Sequence, residues 1–305
     1  MSHSGIEFSD IEFLAGDVTL RGWFVAAETE HEQAPVVVMA HGLSAVKEMY
    51  LDEYARVFAQ AGLHVLVFDH RNFGDSDGRP RQEIDPVAQN RDYRHAITYV
   101  TTRSEIDPAR IGVWGSSFSG GHALSVAAID RRVRAVVAQV PFVSGHGNLS
   151  RLVRADYLPL FRSRFHADRR ARFDGGDPEM VAVVDPDPSA AVVLPSADSW
   201  EWFSRTAKER APSWRNEITL RSVEMLGEYE PQAWIHRISP TPLLMIVAEN
   251  DVVAPSELAF EAYERAREPK QLVIAPGGHF GAYTGPGFEL TAGAARDHFV
   301  RHLAG

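Results

Sequence analysis

The sequence predicts an α/β fold built on a mostly parallel sheet of eight strands, and three observations carry that expectation. Short continuous apolar runs alternate with longer amphipathic stretches, the runs are rich in Val and Ile, and turn residues bound each one. Strands that are apolar on both faces suit a sheet covered by helices on both sides.

The order along the chain supports this reading. Two alternating segments, Ile6 to Leu14 and Val18 to Ala26, flank Ala15-Gly16-Asp17 and read as an antiparallel hairpin. Strands then follow at PVVVMA (35–40), LHVLVFD (63–69), IGVWG (111–115) and AVVAQV (135–140), with helices near 50–61 and 88–102 and from about 118. The rhythm stops near Pro141 and resumes with PLLMIVA (242–248), a helix near 256–267, KQLVIAP (270–276) and a last helix from about 289. A core over 1–145 and 236–305 with an insertion over 146–235 is therefore expected. The insertion carries an arginine-rich stretch, then Asp and Pro, then four of the six tryptophans. A loosely organised surface insertion and a cap over an active site both fit it. The aromatic side chains favour the cap, with Trp200, Trp202, Phe203 and Trp214 as candidate walls of a pocket.

Composition narrows the function. The formal net charge is −10, which disfavours a nucleic-acid partner. There is no cysteine, so disulfides, thiolate zinc sites and a cysteine nucleophile are excluded. No basic segment followed by an apolar run opens the chain, and no apolar stretch approaches the roughly 20 residues that span a bilayer. A cytoplasmic protein acting on a small molecule, without a membrane and without a cofactor, is the expectation. A homodimer stays open.

The chemistry concentrates in GVWGSSFSGGHAL (112–124), where a strand runs into a glycine-serine patch and then a helix. A serine on such a strained corner is held out from the sheet near a helix N-terminus, with small residues two positions to either side. Ser117 fits with Gly115 before and Ser119 after. Ser119 fits with Ser117 before and Gly121 after. The first register is preferred because its glycine stands at the strand end, where the corner begins. A serine hydroxyl needs a histidine to take its proton and a carboxylate to orient that histidine. Asp251 follows PLLMIVAEN, and His279 follows KQLVIAPGG, both just past strands. Ser256 is read as the cap of the following helix, leaving Asp251 free. The amides of Leu43, just past the strand 35–40, and of Phe118 are the candidate oxyanion donors. His41 and His122 read as packed residues, and Asp69 as structural beside Arg71, Asn72 and Asp75. His298 and His302, spaced i, i+4, read as a solvated helix face rather than a metal pair.

Together HGLSAVKE, FDHRNFGDSDG, GSSFSGG, AENDVVAP and PGGHFGAY resemble the α/β-hydrolase superfamily, closest to relatives of dienelactone hydrolases and of polyketide-processing acyltransferases. The resemblance covers 1–145 and 236–305, and Ser119 stands where many members carry glycine. It implies Ser117 as nucleophile, His279 as base and acid, Asp251 as its orienter, and Leu43 and Phe118 as oxyanion donors. It also implies cleavage of a carboxylic ester, lactone or thioester through an acyl-enzyme. Acyl transfer to an alcohol or amine, carbon–carbon bond hydrolysis and a non-catalytic ligand-binding role are the alternatives.

Overall fold

The computed structural model describes residues 6–304 except 154 and 188, so the opening residues 1–5 lie outside the described part. A hairpin of β1 (Phe8–Ala15) and β2 (Val18–Val25) leads into β3 (Ala34–Ala40), α1 (Leu51–Gln60), β4 (His64–Phe68), α2 (Pro86–Val100), β5 (Ile106–Ser116), α3 (Phe118–Ile129) and β6 (Val133–Gln139). After α4 (Gly145–Leu152), α5 (Leu158–Phe173), β7 (Met180–Val181), α6 (Ala197–Glu209), β8 (Ile218–Thr219) and α7 (Leu220–Glu228), the core resumes. It does so with β9 (Leu243–Ala248), α8 (Ser256–Arg265), β10 (Lys270–Ala275) and α9 (Gly285–Leu303).

The sheet has eight strands in the order β1-β2-β4-β3-β5-β6-β9-β10. Within it the pairs β1–β2 and β2–β4 are antiparallel and the others parallel, while β7 and β8 form a separate antiparallel pair. Each residue of β3 is buried, as a strand covered on both faces requires. Alternate side chains divide between two cores. Val37, Met39, Trp114, Val137 and Ile246 join the face covered by α1 and α9. Val36, Val38, Val113, Val136 and Met245 join the face covered by α2, α3 and α8. The insertion packs on the first of these, through Val183, Trp202, Phe203 and Leu226.

The helices follow from local sequence. Leu51, Tyr54, Ala55, Phe58 and Ala59 give α1 one buried stripe at helical spacing. Asp85 accepts from the amides of Val87 and Ala88 and starts α2, with Pro86 where no amide donor is needed. Helix α3 is buried along nearly its whole length, which explains why Phe118 to Ala128 carries no charged residue. Two boundaries differ from expectation by more than a couple of residues. Strand β5 begins at Ile106 because Ile106 pairs with Ala34 before a register shift brings Ile111 opposite Val36. Helix α9 begins at Gly285, because Pro286 falls in its first turn, where proline fits. Among the described residues no helix is long and apolar enough to cross a membrane.

Candidate active site

Four loops meet beyond the carboxyl ends of β3, β5, β9 and β10, the edge of a parallel sheet where such folds place their ligands. Ser117 joins β5 to α3 with φ 59° and ψ −121°, a left-handed φ that a residue with a Cβ adopts only under constraint. Gly115 makes the corner possible, since a Cβ there would lie 1.9 Å from the Ser119 carbonyl oxygen. The Ser117 Oγ lies 2.9 Å from His279 Nε2, and His279 Nδ1 lies 2.6 Å from Asp251 Oδ2. Both the imidazole and the carboxylate are buried. With Asp251 accepting, Nδ1 carries the imidazole proton and Nε2 presents its lone pair to the serine hydroxyl.

Asp251 is also tied to its own turn, because its Oδ1 accepts from the amides of Val253 and Ala254. The expectation that Ser256 caps the next helix, leaving Asp251 unburdened, is corrected. Ser256 accepts from the Asp251 amide and donates to the Ala248 carbonyl, while no side chain caps α8. One carboxylate thus serves both duties, one oxygen to each.

Ser119 is fully buried and bonded elsewhere, donating to the His41 carbonyl at 2.5 Å and lying 3.0 Å from His70 Nε2. Of the two serine registers left open by the sequence, only Ser117 faces His279. The Leu43 loop presses on the corner, since a Cβ on Gly42 would stand 3.2 Å from the Ser117 Cβ. Neither the Leu43 nor the Phe118 amide donates a hydrogen bond to any described residue.

A cavity of about 670 Å³ opens on Ser117 and His279, with mainly apolar walls. Trp202 and Phe203 line it, as do Phe142, Phe161, Phe165 and Phe280. Trp200 and Trp214 do not. Trp214 stacks behind Phe203 with ring centroids 5.1 Å apart and donates through Nε1 to the Ser44 carbonyl. Trp200 packs against the core. On α6, residues 202 and 203 fall on the buried face and residue 200 beside it, a distinction that composition does not carry. The apolar walls from α4 and α5, Leu149, Phe161 and Phe165, stand in the sequence among many charges that mask them. Their spacing of three and four, Leu158, Phe161 and Phe165, is the signal that was there.

Lys47, rather than Arg71, is the hub around Asp69. Its ammonium bonds Asp69 at 2.9 Å and Asp75 at 2.5 Å and pairs with Glu48. Burial opposes that charge, but the three carboxylates outweigh it and hold the ammonium above its ordinary value. Glu48, Asp69 and Asp75 are close enough to gather a cation, and Lys47 already supplies one. Arg71 instead grips Asp92 with two hydrogen bonds, and Asn72 donates to the Glu83 carbonyl. His122 is enclosed beneath the site between Tyr229 and Gln89, and burial lowers it to about 3. His298 is buried rather than solvated, lies 3.3 Å from the Pro242 carbonyl oxygen, and is lowered by burial to about 4.

A profile of the alpha/beta hydrolase family matches residues 37–288. The chain belongs to the alpha/beta hydrolase family. This hydrolase is 34% identical over 288 residues to a thiohydrolase of Eupenicillium brefeldianum, covering 93% of this chain and 91% of that protein. It is 31% identical over 311 residues to a polyketide transferase of a Penicillium species, covering the whole of both chains. Among solved structures, that of DcsB in complex with its substrate analogue superposes on the hydrolase with a TM-score of 0.87 at 27% identity, covering 98% of this chain and all of that one.

Proposed function

We propose that this hydrolase cleaves a carboxylic ester, lactone or thioester through an acyl-enzyme on Ser117. The observation that carries the reading is the continuous line of hydrogen-bonding atoms, Ser117 Oγ to His279 Nε2 at 2.9 Å and His279 Nδ1 to Asp251 Oδ2 at 2.6 Å. Ser117 Oγ attacks the substrate carbonyl carbon as its proton passes to His279 Nε2. The amides of Leu43 and Phe118 receive the oxyanion. Collapse of the tetrahedral intermediate breaks the carbon–oxygen or carbon–sulfur bond, and His279 returns the proton to the leaving group. Water, deprotonated by His279, then releases the acid and restores Ser117. The 146–235 segment acts as a cap whose apolar walls hold a bulky or long acyl or alcohol part.

The test is a comparison of Ser117→Ala and Ser119→Ala on a p-nitrophenyl ester, with a fluorophosphonate label. Loss of turnover and label in the first variant alone, or a far greater loss there than in the second, supports the reading. Loss in Ser119→Ala alone overturns it.

Transfer of the acyl group to an alcohol or amine is a second reading. It is favoured by the full-length match to a polyketide transferase and by a cavity wall that is mainly apolar. Analysis of products formed with competing alcohols separates transfer from hydrolysis.

A further inference from the structure

We propose that Ser119 and His70 are positioning residues of the oxyanion site, acting through His41 on the Leu43 amide. The inference rests on the acyl-enzyme reading above and deepens it.

Three buried side chains close a ring of hydrogen bonds behind the nucleophile. Ser119 Oγ–H donates to the His41 carbonyl at 2.5 Å. Having one proton, that hydroxyl is the acceptor toward His70 Nε2, 3.0 Å away. His70 therefore carries its imidazole proton on Nε2. In agreement with this, His70 Nδ1 is buried with no hydrogen-bond partner among the described residues. The His70 backbone amide donates to His41 Nε2 at 3.1 Å, so the lone pair of His41 is on Nε2 and its proton on Nδ1. That Nδ1–H donates to the Gly42 carbonyl at 2.9 Å. Every proton in the ring has one assignment.

The last bond reaches the chemistry. The Gly42 carbonyl also accepts from the Ala45 amide at 3.3 Å, so two donors hold it on one side. The Gly42–Leu43 peptide is trans and planar, and its N–H points opposite to its C=O. Fixing the Gly42 oxygen toward the His41 ring aims the Leu43 N–H away from that ring. The Gly42 backbone itself lies against Ser117. Ser119, on the first turn of α3, meanwhile ties the loop after β3, which carries Leu43, to the helix that carries the Phe118 amide. A glycine at 119 would leave the corner intact and the two amides unlinked.

Two measurements test this. Imidazole nitrogen NMR of the wild-type enzyme should show His70 protonated on Nε2 and His41 on Nδ1, and the opposite tautomer at either residue overturns the proposal. Ser119→Ala and Ser119→Gly, checked for folding by circular dichroism, are then assayed on a p-nitrophenyl ester and for binding of phenylboronic acid, which mimics the tetrahedral intermediate. Because the Leu43 donor is misaimed rather than removed, kcat should fall about tenfold or more, KM should change less than about twofold, and boronate affinity should weaken by a similar factor to kcat. Folded variants that lose thermal stability while keeping kcat and boronate affinity within about twofold would mark a merely structural ring and overturn the proposal. Failure of the wild-type enzyme to turn over ester or to take a fluorophosphonate label at Ser117 instead overturns the acyl-enzyme reading. The tautomers still judge the ring in that case.

Discussion

At the scale of single residues, the site depends on how few oxygens serve how many amides. Asp251 divides its two oxygens between the imidazole and its own turn. Asp251→Asn preserves the turn, since an amide oxygen can still accept from Val253 and Ala254, but places an NH₂ against His279 Nδ1. The imidazole then carries its proton on Nε2 and cannot accept from Ser117. We expect kcat to fall about 10³–10⁴-fold with thermal stability nearly unchanged, measured by steady-state kinetics and calorimetry. Residues 117 and 119 show where sequence reasoning reaches its limit. Spacing of small residues admits both serines, and the choice lies in which hydroxyl meets His279 and which is bonded to the His41 carbonyl. Those contacts cross 162 and 78 residues of chain.

At the scale of elements, α5 and α6 set the cavity's character. Phe203 is buried at its wall, between Trp202 and Trp214. Phe203→Ala should cost about 3–5 kcal/mol of stability in urea unfolding. In the folded enzyme it should shift preference toward bulkier acyl groups, read as a change in the ratio of kcat/KM across p-nitrophenyl esters. On α5, Arg164, Arg169, Arg170 and Arg172 all pair with carboxylates. Arg162 faces the cavity without a partner among the described residues, and it is the one charged side chain among those lining the walls. Because it is exposed, its contribution to binding is modest. Arg162→Gln should lower kcat/KM about two- to fivefold for an ester with an anionic tail and leave a neutral one unchanged. Equal effects on both substrates would remove charge from the explanation. The helical spacing of Leu158, Phe161 and Phe165 was readable in the sequence. Which face of α6 turns inward was not, nor that Trp214, in the loop beyond it, stacks behind Phe203, and so neither Trp200 nor Trp214 lines the cavity.

At the scale of the whole molecule, burial of neutral histidines couples stability to acidity. His41 and His298 are lowered by burial to about 4 and His122 to about 3, from an ordinary 6.5. Burial lowers His70 strongly as well, with His41 and His122 adding to the effect. Near His41, Lys47 lowers further while Glu48 pulls the other way. A histidine whose folded value is depressed binds its proton more readily when the chain is unfolded. Its stabilising contribution is complete above pH 6.5 and is lost progressively as the pH falls toward 4 and below. His41 alone corresponds to roughly 3 kcal/mol over that interval. Urea midpoints should therefore decline steeply between pH 6.5 and 4, with several protons taken up on unfolding, and a flat profile there would contradict neutral burial of these rings.

The parallel sheet, its helices, the serine corner and the positions of Asp251 and His279 could be read along the chain because each rests on local patterns. Buried strands are continuous apolar runs, and loops that follow them on the same edge of a parallel sheet collect at one rim. The cavity walls, the double duty of Asp251 and the histidine ring could not be read there. Each depends on which side chain faces which across elements far apart in number, and periodicity along one segment is blind to the orientation of another.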